Sequence, residues 1–387
     1  MKPRTDCPGC GVRRLAGELV LRRQPVVLNY RFRSAAEAQS VARGDVTLRQ
    51  CRSCGLVFNA TFDGTRMPYD ERYENRQGSS PTFRAHVDEM VARLGRVAGV
   101  RGGRLLEVGC GKGEFLRRAA ELLGAEADGH DTSYEGPGEV DGGRVRFHAG
   151  YLTASGVKGR HDAVICRHVV EHVPCIGGFL GGLAGIARAA GDPLVVLETP
   201  RFEWIVENEC LWDVFYEHCN YFTGPTLAHL ARRAGFRVAR HAAVFGGQYQ
   251  WLELRLMRRA AARVPAGPGI PAGGSLARFG KGFERRKARL AASIRDGRRG
   301  RPWAVWGAGA KGVALVNLLS RLKPACVVDV NPAKQGGMIP GTAVPVCAQG
   351  DAGLPGLGLV VITNPNYARE VRADLDAAGF RGNILCL

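Results

Sequence analysis

Four cysteines near the start of the chain have the spacing of metal ligands. Cys7 and Cys10 form one C-x-x-C pair, and Cys51 and Cys54 form a second pair. Two such pairs supply four thiolates, which is a common ligand set of tetrahedral structural Zn²⁺ sites. Because four protein ligands leave no position for water or substrate, we predict a structural zinc ion. A redox function of either pair stays open as the alternative.

Two glycine-rich turns are the other chemical feature of the sequence. Residues 109–113 (G-C-G-K-G) follow the strand-like run 105–108, and residues 307–312 (G-A-G-A-K-G) follow the run 303–306. Glycine lets the backbone turn sharply and approach a ligand closely, and a helix that begins there offers unpaired N–H groups. Each turn therefore predicts the first strand-to-helix connection of a nucleotide-binding sheet.

The elements that must position these turns alternate along the chain. Apolar strand-like runs occur at residues 105–108, 127–130, 163–166 and 194–198, and again at 304–306, 325–330, 359–363 and 384–385. Helical stretches separate the runs, and an amphipathic helix is predicted around 86–97. Strands that alternate with helices predict parallel sheets covered on both faces. Between the cysteine pairs, the runs 19–21 and 26–28 predict a small β-rich unit instead.

A Pro- and Gly-rich stretch at 261–269 reads as a linker, and an arginine-rich helix follows it. The predicted organisation is residues 1–80 as a zinc-binding domain, 81–260 as a central α/β domain, 261–300 as a linker and basic helix, and 301–387 as a smaller C-terminal α/β domain.

Composition limits the classes of protein that the chain can represent. The 387 residues carry a formal net charge of +18, and 45% of them are apolar, which suits a globular protein with more than one core. The sequence has no apolar run long enough for a membrane span and no signal-like start, so we expect a cytoplasmic protein with reduced thiols. Basic residues suit nucleic acid, but interleaved aromatic residues are lacking, so we expect a phosphate-bearing small substrate. A zinc-ribbon nucleic-acid-binding protein stays open as the alternative.

The first glycine turn resembles motif I of class I S-adenosylmethionine (SAM) methyltransferases. Glu107 precedes Gly109, Gly111 and Gly113, and Asp131 ends the next strand, where a carboxylate can accept from both ribose hydroxyls. Residues 161–173 resemble strand four of that family and the loop beneath the cofactor. The resemblance implies that these residues bind SAM, together with Arg167 and His168; an NAD site is the open alternative.

The second turn fits the dinucleotide fingerprint better than the first, and Asp329 ends the strand that follows it. Taken alone it would favour NAD. However, the C-terminal unit spans fewer than ninety residues, which leaves little room for a second mononucleotide half.

The whole chain resembles the three-domain sugar C-methyltransferase family, through the paired cysteines, the SAM motifs and the stretches 328–336 and 362–367. This resemblance implies a central class I SAM methyltransferase Rossmann-like fold between a zinc-binding domain and a C-terminal Rossmann-like domain. It also implies C-methylation beside the ketone of a deoxy-ketosugar carried on a nucleoside diphosphate. The second turn would then face that substrate without a redox function.

Residues 212–222 resemble the Tyr-His-Glu-His signature of this family. The resemblance implies that His218 is the general base and that Glu217 orients it or shapes its charge, while Tyr216 and His172 are candidates to donate to the enolate oxygen. When Glu217 and His218 are aligned with the last two residues of the signature, Phe215 and Tyr216 stand where its tyrosine and first histidine belong.

That departure leaves O- or N-methylation of another small metabolite open. The remaining predicted substrate contacts are Tyr73, Asn220, Tyr221, Gln248 and Lys311.

Overall fold

A computed structural model describes residues 3–67, 72–97, 99–257 and 266–387. Residues 261–265 of the predicted linker lie outside this described part. The described strands form three sheets, which correspond to the N-terminal, central and C-terminal parts of the chain, and helices cover them.

The N-terminal sheet is antiparallel and takes its last strand from the middle of the chain. Its strands, in spatial order, are β1 (Leu15–Pro25), β2 (Arg43–Cys51), β3 (Val57–Asn59) and β10 (Asn220–Tyr221). A short helix, α1 (Ala35–Ser40), lies between β1 and β2. Residues 26–28, expected to form a strand, are buried without strand pairing, and the backbone N–H of Leu28 bonds to the carboxylate of Glu217.

The central sheet has eight strands, of which the middle five are parallel. Its spatial order is β11 (Phe236–Val244), β12 (Tyr249–Leu256), β9 (Leu194–Pro200), β8 (Ala163–Arg167), β4 (Arg104–Val108), β5 (Glu126–Asp131), β7 (Val145–Ala149) and β6 (Glu139–Val140). The antiparallel hairpin β11–β12 extends one side. The chain order reverses between β4 and β8, so the carboxyl ends of these strands form the crevice where such sheets bind ligands.

Helices pack on both faces of the central sheet. They are α2 (Pro81–Leu94), α3 (Glu114–Leu123), α4 (Ile176–Ala189) and α6 (Gly224–Arg233), whereas the buried residues of α5 (Phe202–Glu207) join an apolar cluster with the N-terminal and C-terminal parts. Helix α2 begins earlier than the expected residue 86, because Ser80 caps it by accepting from the N–H of Phe83 at 3.2 Å and Pro81 suits its first turn. This is the class I SAM methyltransferase Rossmann-like fold.

The C-terminal sheet is entirely parallel. Its order is β15 (Val346–Cys347), β14 (Cys326–Val328), β13 (Trp303–Trp306), β16 (Leu359–Ile362) and β17 (Asn383–Cys386). The helices of this part are α7 (Leu276–Gly280), α8 (Phe283–Gly297), α9 (Ala310–Leu318) and α10 (Ala368–Ala377). The order reverses beside β13, the strand that leads into the second glycine turn. Both turns therefore lie at reversal points of parallel sheets.

Candidate functional site

A cavity of about 1710 Å³ extends from the first glycine turn to the second. Residues from all three parts of the chain line it. They include Tyr73 from the segment after the N-terminal sheet, His172 and His218 from loops of the central part, and Lys311 from helix α9. The two turns thus open into one space, in which two ligands could meet.

The first turn has a backbone that requires glycine. Gly109 has a φ of +78°, and a Cβ built there would lie 2.3 Å from Cγ2 of Val169. Asp131, at the end of β5, stabilises the turn. Its carboxylate accepts from the N–H of Gly111 at 2.8 Å and from the N–H of Ser133 at 2.7 Å. Glu107, Gly109, Gly111 and Asp131 line the cavity, whereas Gly113 lies behind its wall as the first residue before α3.

Two buried polar atoms beside this turn lack partners among the described residues. They are Oε2 of Glu107 and Nη2 of Arg167. The Arg167 side chain is fixed by a 2.5 Å ion pair with the buried Glu198, and its guanidinium lies 4.0 Å from the ring centre of Phe115. Burial raises the pKa of Glu107 to about 8. A ligand group with both an ammonium and a carboxylate would satisfy the two orphaned atoms, as the amino-acid part of SAM would.

A second group of side chains lies deeper in the same cavity. His218 is 9% exposed, and its ring centre lies 4.8 Å from that of His172. Nδ1 of His172 donates to the backbone carbonyl of Glu217 at 2.9 Å, which fixes the orientation of the ring. Burial, assisted by the nearby His172, holds the pKa of His218 well below its usual range. His218 is therefore a neutral imidazole near pH 7, which can accept a proton.

The Glu217 carboxylate faces away from His218. Its oxygens accept from the backbone N–H groups of Leu28 and Asn29 and, at 3.0 Å, from the hydroxyl of Tyr73. The expectation that Glu217 orients His218 through its side chain is therefore not met. Glu217 instead orients Tyr73, and its backbone carbonyl accepts a hydrogen bond from His172.

The structure collects a tyrosine, two histidines and a glutamate from three separate segments. Tyr73 follows the N-terminal sheet, His172 follows β8, and Glu217 and His218 precede β10. The alignment of Phe215 and Tyr216 with the first two residues of the family's signature stays a prediction. Nothing in the sequence indicates this assembly, because it depends on how the sheets pack together.

Three of the sequence-predicted site residues lie outside the cavity wall. The hydroxyl of Tyr216 accepts from the N–H of Asp63 at 2.8 Å, Nδ2 of Asn220 donates to the carbonyl of Val173 at 2.7 Å, and the hydroxyl of Tyr221 accepts from the N–H of Phe215 at 3.1 Å. Their segment ends in β10 and is buried against the N-terminal sheet. We therefore withdraw Tyr216 as a donor to the enolate, and Asn220 and Tyr221 as substrate contacts.

The other predicted contacts do line the cavity, on its C-terminal side. Nζ of Lys311 lies 2.6 Å from the carboxylate of Asp213 and 4.4 Å from the ring centre of Trp204. The side-chain oxygen of Gln248 accepts from Asn364 at 2.9 Å and from Asn366 at 3.0 Å. Lys311 and Gln248 thus connect the central part to the second glycine turn and the strand β16.

His168 also faces the cavity, and its backbone φ is +53°, a conformation that is rare outside glycine. Its Nδ1 lies 3.5 Å from Oε1 of Glu171, a buried carboxylate that the sequence analysis did not single out. The signal in the sequence was weak, because a glutamate in a short loop usually faces solvent.

The four N-terminal cysteines meet in space. Their sulfur atoms all lie within 4.8 Å of one another, with 3.5 Å between Cys7 and Cys54 and 3.6 Å between Cys10 and Cys51. Zn–S bonds of about 2.3 Å place tetrahedral thiolates at similar separations, so the set fits a zinc ion. Such an ion would tie the loop before β1 to the end of β2.

Comparisons with known proteins agree with the central fold. Residues 83–241 match the family model described as a methyltransferase domain, and residues 269–385 match the model described as the C-methyltransferase C-terminal domain. The chain is a SAM-dependent methyltransferase.

The individual relatives share a low sequence identity with this chain. The methyltransferase is 27% identical over 308 residues to the C-methyltransferase NovU of Streptomyces niveus, a match that covers 75% of this chain and 72% of NovU. It is 33% identical over 120 residues to a ubiquinone biosynthesis O-methyltransferase of Burkholderia orbicola, which covers 28% of this chain and 51% of that protein.

Among solved structures, the methyltransferase is similar to the 1,6-didemethyltoxoflavin-N1-methyltransferase of Burkholderia thailandensis. The TM-score is 0.34 and the identity 20%, over 46% of this chain and 79% of that one. In the described residues, no helix is long and apolar enough to cross a membrane.

Proposed function

We propose that this methyltransferase transfers the methyl group of SAM to the carbon beside the ketone of a nucleoside-diphosphate-linked deoxy-ketosugar. The observation that carries the proposal is the single cavity that joins the first glycine turn to the neutral, buried His218. The match of residues 269–385 to a C-methyltransferase domain and the likeness to NovU support transfer to carbon.

His218 would act as the general base. A neutral imidazole in an apolar wall, with the Phe215 ring centre 4.2 Å away, can remove the proton beside a ketone and leave an enolate. SAM, when bound at the first turn, supplies an electrophilic methyl group. The cavity would hold the enolate carbon and that methyl group face to face, and positioning of this kind accounts for much of the rate of such reactions.

Positive charge in the cavity would stabilise the enolate oxygen. The ammonium of Lys311 lies close enough to His218 to lower the pKa of that histidine, as His172 does. Neutral His172 cannot donate through Nε2, since its one N–H points at the Glu217 carbonyl. It would serve as a donor to the oxygen only when protonated.

The nucleotide part of the substrate would lie toward the second glycine turn. Lys311 and Lys334 both line that end of the cavity, and Nζ of Lys334 lies 3.2 Å from the carbonyl of Ala308 within the turn. Two lysines beside a helix that begins at the turn suit a diphosphate. The domain limits 1–80, 81–260, 261–300 and 301–387 are part of this proposal.

The test is a His218→Ala variant, with His241→Ala on the exposed strand β11 as its control. We expect kcat of His218→Ala to fall at least a hundredfold with a panel of nucleotide-linked ketosugars, because the variant lacks the imidazole that would remove the proton. SAM affinity, measured by calorimetry, should stay unchanged in both variants. Full activity of His218→Ala would refute the proposed base.

A second candidate is methyl transfer to oxygen or nitrogen of another small metabolite. The 33% identity to an O-methyltransferase favours it, and His218 could equally deprotonate a hydroxyl or an amine. Carbon NMR of the product formed from methyl-labelled SAM separates the two candidates. A labelled methyl group on oxygen or nitrogen would replace the C-methylation proposal by this one.

A further inference from the structure

Glu171 is a buried carboxylate at the centre of the histidine cluster. It lies in the short turn Val170–His172 between β8 and α4, is 2% exposed and lines the cavity. Its Oε2 accepts from the hydroxyl of Thr199 at 2.9 Å, and its Oε1 lies 3.5 Å from Nδ1 of His168. Neither contact supplies a fixed positive charge, so the ionisation of the Glu171 carboxyl depends on the protonation of the histidines around it.

Those histidines keep the carboxylate ionised. Burial alone would raise the pKa of Glu171, but the hydrogen bond from His168 and the charges of His172, His168 and His218 lower it to about 2. A buried anion is costly without a cationic partner. Near Glu171, the groups that can supply a positive charge are imidazoles, which do so only when they hold a proton.

Glu171 is a carboxylate close to the proposed base. One carboxylate oxygen of Glu171 and one ring nitrogen each of His172 and His218 all lie within 4.8 Å of one another. Glu217 is adjacent to His218 in sequence, but its carboxylate is occupied by Tyr73 and by two backbone N–H groups on the far side. Charge complementarity for a protonated His218 is therefore available from Glu171.

We propose that Glu171 is a positioning residue whose negative charge stabilises the His218 imidazolium formed during proton removal. In that step the C–H bond beside the ketone breaks, the proton forms an N–H bond with His218, and the electron pair stays on the substrate as the enolate. Glu171 neither gains nor loses a proton. The role in turnover rests on the proposed function, whereas the effect of Glu171 on the protonation of His218 does not.

The other groups that face His218 oppose this charge. His172 and His168 belong to the same loop as Glu171, and Lys311 approaches from α9; all three disfavour a proton on His218, whereas Glu171 favours it. The rings of Phe215 and Tyr221, on the segment of His218 itself, contribute no charge near pH 7. Removal of Glu171 should therefore leave His218 among like charges only.

The test compares Glu171→Gln with Glu171→Asp and with the matched control Glu217→Gln. The side chains of ¹⁵N-histidine-labelled protein are titrated by NMR from pH 8 to pH 4, with His218→Ala to assign the resonance. We expect the midpoint of His218 to fall by at least one pH unit in Glu171→Gln, by less in Glu171→Asp, and not at all in Glu217→Gln. Circular dichroism verifies the fold, and Glu171→Asp decides the matter if Glu171→Gln does not fold.

Kinetics provide the second readout. With a ketosugar that the wild-type enzyme methylates, Glu171→Gln should lower kcat by ten- to a hundredfold at nearly constant KM, and the acidic limb of the pH profile should move to lower pH. Glu171→Asp should recover part of the rate. If no ketosugar is a substrate, the proposed function fails, and the titration still decides the role of Glu171.

Three results would overturn the inference. One is an unchanged or higher His218 midpoint in Glu171→Gln, and another is an acidic limb of the kcat pH profile that does not move in that variant. The third is Co²⁺ binding with visible absorption bands that Glu171→Gln abolishes, together with a wild-type titration that changes on chelation. That result would assign Glu171, His172 and His218 to a metal instead.

Discussion

The two glycine turns use the same backbone device with different side chains around it. In each, an aspartate at the end of the next strand accepts from a turn N–H and from an N–H two residues beyond itself. Asp131 does so at 2.8 and 2.7 Å, and Asp329 at 2.6 and 2.8 Å, to Ala308 and Asn331. The glycine pattern therefore defines the turn but not its ligand.

The difference lies in the charged groups beside each turn. Next to the first turn, Glu107 and Arg167 present buried polar atoms without partners among the described residues, so this turn needs a ligand with both charges. At the second turn, Lys311 already pairs with Asp213, and Lys334 with Asn29 and Ala308. The orphaned groups support a cofactor site at the first turn. The paired groups at the second turn connect different segments of the chain.

Loss of an ion pair at the second turn should have the largest effect on stability. Lys311→Met leaves the buried carboxylate of Asp213 uncompensated, which we expect to lower the free energy of unfolding by about 3 kcal/mol. Lys334→Met should lower the free energy of unfolding by less, because the Lys334 ammonium donates to the neutral oxygens of Asn29 and Ala308. Chemical denaturation measures both. SAM affinity that falls sharply in Lys311→Met would contradict the separation of the two turns.

A substitution in the first turn should act on cofactor affinity instead. Gly109→Ala forces a left-handed backbone on alanine and a contact with Val169, so we expect SAM to bind at least tenfold more weakly, about 1.4 kcal/mol. The matched variant Gly309→Ala has neither a positive φ nor a neighbour within 4 Å of the new Cβ, and its affinity should stay at the wild-type value. Calorimetry that shows equal losses would refute the assignment of SAM to the first turn.

The smallest expected effect is the change in stability between pH 6 and pH 7 that Glu107 causes. Its pKa rises from 4.5 to about 8 on folding, so between these values the folded state holds a proton that the unfolded state has lost. Stability of the SAM-free enzyme should then fall as pH rises through that window, by roughly 1 kcal/mol per pH unit. Glu107→Gln should flatten the dependence, measured by denaturation at pH 6 and 7. An unchanged slope would show that Glu107 is already ionised.

Some of the strands could be predicted from the sequence because they are local patterns, whereas β6, β7, β11, β12 and β15 were not predicted. All eight predicted runs of the two α/β parts overlap with strands, since buried parallel strands are mostly apolar. Residues 26–28 were misread for the same reason: an apolar run shows burial but not pairing. The cysteine spacing likewise predicted a cluster that the structure brings together.

The proposed catalytic group could be predicted only in part. Glu217 and His218 were visible as ionisable residues within an apolar stretch, whereas the orientation of each side chain was not. Tyr73 and Glu171 reach the same centre from distant segments, through contacts that only the packing of the sheets creates. Tyr216 was favoured because it stands beside Glu217 in sequence, yet its hydroxyl faces Asp63.

Strand β10 has a consequence for how the chain folds during synthesis. The edge of β3 is completed only when Asn220 and Tyr221 pair with Phe58 and Val57, after more than half of the protein has left the ribosome. Until then the nascent chain exposes an unpaired strand edge, a template for aggregation. His218 lies two residues before that late strand, so the step that closes the N-terminal sheet also positions the proposed base. A chain truncated before Tyr221 would leave both the sheet and the site incomplete.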